Sequence, residues 1–220
     1  MNPTCSSAAR LWGLRPLGAL AVCALLCACS TSSLLDSDIP VPTRYVLAPL
    51  PPAHDPQTSA ASQVDLAIGR PDVAPGLDTA RIAVLRGRKL DYYRGVQWSG
   101  NMLEVVQAFL VSSLQDQGLF RSVTAEQARV AGAYILDTEV RDFQAEYGQP
   151  RTAPTVRVTI IGRLIRIRDR ALIATLRASA TRDATDNHMR AVAEAFEGAA
   201  HEVVLRLAQE TADAIDGDRE

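Results

Sequence analysis

Residues 156–180, VRVTIIGRLIRIRDRALIATLRASA, decide the fold. Val156, Val158, Ile160 and Leu164 recur at every second residue or a multiple of it, with Arg157, Thr159 and Arg163 between them. That is the period of a strand with one dry face and one wet face. Ile165 and Ile167 fall on the opposite phase, which predicts a bulge or a strand end near Gly162. Asp169-Arg170 reads as a hairpin turn, and Leu172, Ala174, Leu176, Ala178 and Ala180 carry the return strand. Upstream, Tyr134, Leu136 and Val140 alternate with Asp137, Glu139 and Arg141, giving a third strand. Downstream, Ala191, Val192, Ala195, Phe196, Ala199, Val203 and Leu207 make the apolar stripe of a long helix, with Asp186 or Asn187 as its cap. A sheet with one dry face needs such a cover.

Towards the N-terminus the signals are shorter. Tyr45-Val46-Leu47, Val64–Ile68 and Arg81–Arg86 read as strands, and Lys89–Trp98 as a strand or ordered loop. Asn101 with Glu104 three residues later predicts a capped helix whose face is Met102, Val105, Val106, Phe109, Leu110 and Leu114. Gly118 would end it in a left-handed cap, with Leu119 and Phe120 folding back. A second short helix is expected over Thr124–Val130. Prolines 49, 51, 52 and 56 mark an exposed loop. The fold class expected is α+β: a mixed, largely antiparallel sheet with two main amphipathic helices packed on one face. No internal repeat is visible.

The first residues carry a different message. Arg10 and Arg15 precede an apolar stretch from Leu17 to Ala28, and Leu26-Cys27-Ala28-Cys29 closes it. Charged, apolar and small-residue regions in this order are those of a secretory signal. The segment resembles a bacterial lipoprotein signal, which is lipidated on the cysteine thiol and cut just before it. The stretch is shorter than the roughly 20 residues of a spanning helix. Expected segments are therefore a signal peptide over 1–28, a flexible tether over 29–43, and a domain over 44–216. Cys29 is the lipidation site, a carrier of palmitate-type chains, and in proteins with such signals a serine at the next position, here Ser30, allows transfer to the outer membrane. Cys5, Cys23 and Cys27 would leave with the signal, so the domain has no disulfide and no thiol nucleophile.

Chemistry is sparse elsewhere. Net charge is −2, with no basic stripe for nucleic acid. His54, His188 and His201 are scattered, and no metal-ligand spacing joins them. No nucleophile elbow or phosphate-cradling loop appears; Gly95 and Gly100 are too sparse for one. Asp137, Glu139 and Asp142 are carboxylates on or near the wet face of a strand. An enzyme is not expected, nor a cofactor. The aromatics Tyr92, Tyr93 and Trp98 are candidates for a partner contact, because rings with polar tips suit half-apolar surfaces; packing between sheet and helix is the competing explanation.

The order Tyr45-Val46-Leu47, Ile82-Ala83-Val84, Leu90-Asp91-Tyr92-Tyr93 to Trp98, a helix ending Gly118-Leu119-Phe120, Tyr134-Ile135-Leu136 and the run Glu139–Phe143 resembles the ABC-type transport auxiliary lipoproteins. The resemblance implies a non-enzymatic subunit on the periplasmic face of the outer membrane. Its partner would be the MCE-domain channel protein of an intermembrane phospholipid transport system, and a homo-oligomer stays open. An envelope lipoprotein that activates or braces a cell-wall or outer-membrane assembly machine is the alternative from another class.

Overall fold

The computed structural model describes residues 41–52, 63–128, 132–148 and 153–219. The sheet is organised around β7 (Tyr134–Tyr147). Along one edge β7 pairs antiparallel with β8 (Thr155–Arg166), which pairs antiparallel with β9 (Ala171–Asp183). Along the other edge it takes three short parallel strands in succession: β2 (Asp65–Ile68), β3 (Asp72–Val73) and β4 (Arg81–Arg86). β6 (Ser122–Ala125) extends the sheet beyond β2, while β5 (Lys89–Trp98) and then β1 (Thr43–Tyr45) extend it beyond β4. The long ladders are antiparallel and the short ones mostly parallel, so the expected mixed, largely antiparallel sheet is what forms.

Two helices, α1 (Met102–Asp116) and α2 (Met189–Arg219), cover the dry face. Leu136, Val140, Val158, Ile160 and Leu164 are buried beneath them, as are Phe109, Leu110 and Phe196 from the helices. Trp98, Phe143 and Phe196 form the centre of the core, with ring centroids 5.2–5.6 Å apart. β7 keeps its dry face through a bulge. Val140 pairs with Ile160 and Asp142 with Thr159, so Arg141 is the extra residue. The shift returns Phe143 and Ala145 to the buried side.

Gly162 has another role than the one expected. It stands regularly in the ladder, opposite Thr138 and Leu176. A Cβ there would meet Leu136 Cδ1 at 3.0 Å and Leu207 Cδ2 at 3.4 Å. The glycine lets α2 settle on the sheet. The break in phase comes later, between Leu164 and Ile165, and the extra residue is Ile173 of β9. Gly162→Val is expected to cost about 1–3 kcal/mol by overpacking, read by urea denaturation. A valine variant as stable as the parent would show that α2 does not approach so closely.

Other expectations are corrected. Residues 122–125 form strand β6 rather than the start of a helix, because they pair in register with β2; only Glu126–Ala128 make a 3-10 turn. Pairing with a neighbour outweighs local preference there. Residues 129 and 130 lie outside the described residues. β1 is Thr43–Tyr45, so Val46 and Leu47 follow the strand, and Val46 is exposed. Asn101 occupies the cap position of α1, but its side chain makes no capping bond. Gly118, at φ 66°, does adopt the left-handed conformation expected of it. α2 begins at Met189; Asp186 Oδ1 accepts from the His188 amide at 2.6 Å and so builds the preceding turn, while Asn187 accepts a hydrogen bond from Tyr147. Leu172 lies exposed, off the buried face of β9, as a result of the Ile173 bulge.

Candidate functional site

β5 carries all three aromatics expected at a contact surface. Successive side chains of a strand face opposite ways, so Tyr92 and Tyr93 diverge. Both are half-buried. The Tyr92 hydroxyl donates to the Gly76 carbonyl at 2.7 Å, and the Arg81 guanidinium lies 3.7 Å from its ring centroid. That arrangement is a cation–π contact, which fixes the ring at the surface. The Tyr147 hydroxyl donates to Asn187 Oδ1 at 2.5 Å, so Tyr93 must donate to Tyr147, 3.0 Å away. Burial, then the bond to Tyr147, pushes the Tyr93 phenol above its ordinary value and keeps it neutral.

Trp98 is a correction. It is 1% exposed, edge-on to both Phe143 and Phe196, and therefore core rather than half-exposed surface. Its indole N–H has no hydrogen-bond partner among the described residues, so packing alone holds it. Inside β5, Gly95 at φ 70° and the register jump from Ala83–Tyr92 to Arg81–Gln97 shift the phase between the tyrosines and Trp98, which simple alternation does not show. Around Tyr92 and Tyr93 lies an open recess of about 360 Å³, reached also by Pro42, Arg81, Asp91 and Arg94. Asp91 accepts the Tyr92 amide at 2.9 Å, and this bond, with Lys89 nearby, holds its carboxyl below the usual range.

Charged groups elsewhere satisfy one another. A cleft of about 650 Å³ is lined by Asp65, Arg121, Tyr134, Arg166 and Asp218 among others. Asp65 accepts from Arg121 and Ser122, which lowers its pKa to about 2. Arg166 bridges Asp169 and Asp218, and Tyr134 donates to Asp218 at 2.7 Å. The cluster ties the end of α2 to the β8–β9 hairpin. Arg166 and Asp218 are too far apart in sequence for any local signal to join them. Glu139 accepts from Arg141 at 2.9 Å and Arg163 at 2.8 Å; these partners, Arg141 first, keep its carboxyl ionised below its ordinary value. Of the three carboxylates singled out in the sequence, Glu139 is thus neutralised by two arginines, while Asp142 accepts from Gln144 at 3.2 Å. His201 stacks on Phe109 and reaches the Ala48 carbonyl at 3.0 Å; His188 rests on Asp186; His54 lies outside the described residues. Among the described residues no three His, Cys, Asp or Glu side chains converge as a metal site would need.

This geometry offers recesses and surfaces, with aromatic and arginine groups at their rims. The sequence model of the ABC-type transport auxiliary lipoprotein component matches residues 45–208. The chain belongs to this family. A crystal structure of a protein from Xanthomonas campestris superposes with a TM-score of 0.69 at 25% identity, covering 80% of this chain and 99% of that one. A crystal structure of an uncharacterised protein shares the fold at a TM-score of 0.54 and 12% identity, covering 82% and 99%. A search of curated proteins finds no match.

The family is one of ABC-type transport auxiliary lipoproteins. In this auxiliary lipoprotein, no described helix is long and apolar enough to cross a membrane. Cys29 and Ser30, the expected lipidation and sorting residues, lie outside the described residues.

Proposed function

We propose that this auxiliary lipoprotein is the outer-membrane docking subunit of an ABC/MCE-type intermembrane phospholipid transport system. The family match over residues 45–208 carries the reading. Lipid on Cys29 would hold the chain at the membrane, and Ser30 would send it to the periplasmic face of the outer membrane. The subunit receives the end of an MCE-domain channel protein and does no chemistry; ATP is used by other subunits. The β5 recess supports this. It holds two half-buried tyrosines, Arg81 and Arg94, the residue types that dominate interface energetics.

Co-purification from membranes tests it. The lipidated protein is expected to bring down an MCE-domain protein, and Tyr92→Ala to weaken that association about 30-fold, the scale of a hot-spot residue. Tyr92 is half-buried and bonded to Gly76, so melting temperature is measured alongside, and it is expected to fall far less than binding does. Trp98→Ala serves as the comparison, expected to lose stability first. Co-purification with a cell-wall synthase and no MCE-domain protein would replace this reading with the envelope-activator one.

A further inference from the structure

The face of the sheet opposite the helices changes character at one end. Across four strands, Ala67, Ile135, Ile165 and Leu172 stand directly opposite one another in register. All four are aliphatic, and none lies on the helix-covered face. Leu172 is 59% exposed, Ile135 and Ile165 are half-buried, and Ile167 in the adjoining turn is 43% exposed. The neighbouring row, Asp137, Arg163 and Thr175, is polar. Leu172 joins the row only because Ile173 bulges; without that extra residue it would face the helices.

The hairpin tip beside the row is cationic. Arg168 and Arg170 are exposed, and Arg170 holds the turn at φ 57°. Asp169 is already bonded to Arg166 and lies 3.9 Å from Arg168. Arg170 makes no ion pair with a described residue. Exposed aliphatic side chains with arginines at their edge occur where a surface meets lipid headgroups: the aliphatics enter the acyl boundary and the guanidiniums take phosphates.

We propose that the aliphatic row Ile135–Ile165–Leu172, with Ile167 and the arginines of the β8–β9 tip, is a contact surface for an anionic phospholipid membrane. A protein partner fits less well. The row is a sheet face with no tyrosine or tryptophan in it, whereas protein hot spots are aromatic anchors seated in pockets. Membership of a lipoprotein family places a bilayer within reach. This contact is separate from the β5 recess and does not rest on the channel-protein reading.

The test uses the compact unit Pro42–Glu220, which contains the hydrophobic core formed by the described residues and no native cysteine. Cosedimentation compares phosphatidylcholine vesicles with vesicles that also contain phosphatidylglycerol. The domain is expected to bind the anionic vesicles, less so as salt rises. Ile167→Ser with Leu172→Ser, and Arg168→Glu with Arg170→Glu, are each expected to reduce partitioning about tenfold or more. These positions are exposed, so melting temperatures should hold. A fluorophore on Leu172→Cys, the domain's single thiol, should be quenched by quenchers placed in the acyl region. Absent vesicle binding, unchanged partitioning of both double variants, or an unquenched label overturns the proposal. So does capture of an acidic protein through this face when vesicles are ignored.

Discussion

Phe196→Ala is expected to lose about 3–5 kcal/mol of folding stability, the cost of deleting a fully buried ring and leaving its cavity. Phe196 is 0% exposed. Its ring stacks on Phe143 at 5.2 Å and meets Trp98 edge-on at 5.3 Å. Those neighbours cannot collapse into the gap. Phe143 is held by the β7–β8 ladder, and the Trp98 backbone is tied to Ala80 at 2.7 Å. The domain also has no disulfide to limit the loss, since every cysteine precedes residue 30. Phe109→Ala should fall at the lower end of the range. Phe109 borders a small recess of about 150 Å³ and stacks on His201 at 6.0 Å, so part of its surroundings is already open. Chemical denaturation measures both. A loss under about 0.5 kcal/mol for Phe196→Ala, the size of a surface change, would mean that α2 does not pack through this face.

The parts of the fold legible in the sequence are those where one period runs long enough to outvote local noise. The 13-residue β9, the 12-residue β8 and the 31-residue α2 each repeat their pattern several times. Short elements lack that redundancy. Residues 122–125 form a strand only because β2 offers a partner, and β2 is 57 residues away by the Asp65–Ser122 contact. The bulge at Arg141 has no signal of its own in the sequence, whereas the β8–β9 bulge shows there as the phase break at Ile165, although its extra residue, Ile173, sits on the partner strand. Each inserts one residue, which in space is a phase correction. For Trp98 the packing alternative is the one that holds, and the β4–β5 register shift around Gly95 is what parts it from the tyrosines. Of the candidate surface, Tyr92 and Tyr93 were visible because aromatics with polar tips stand out. The aliphatic row is half visible: Ile165 and Ile167 break phase in the sequence, but Leu172 shares the alternation of the core residues of β9 and only the Ile173 bulge takes it off that face.

Cys29→Ser is expected to abolish lipidation and leave the precursor uncut. The thiol at this position is the acyl carrier in signals of this kind, and a serine hydroxyl does not replace it. Loss of the anchor follows from magnitudes. Each buried methylene contributes roughly 0.8 kcal/mol, so a single chain holds a protein reversibly and two or more hold it firmly. The uncut apolar stretch Leu17–Ala28 does not substitute for them, being shorter than the roughly 20 residues of a span. Intact-mass analysis of the wild-type N-terminus should therefore show Cys29 as the first residue, carrying acyl mass, and the variant should start upstream of it. An unmodified first residue other than Cys29 in the wild type overturns the assignment. Fractionation adds the second arm: with Ser30 after the cysteine the wild type is expected in the outer membrane, and its recovery in the inner membrane would refute that. The docking reading depends on this outcome, because a subunit that receives a channel at the outer membrane has to be held there.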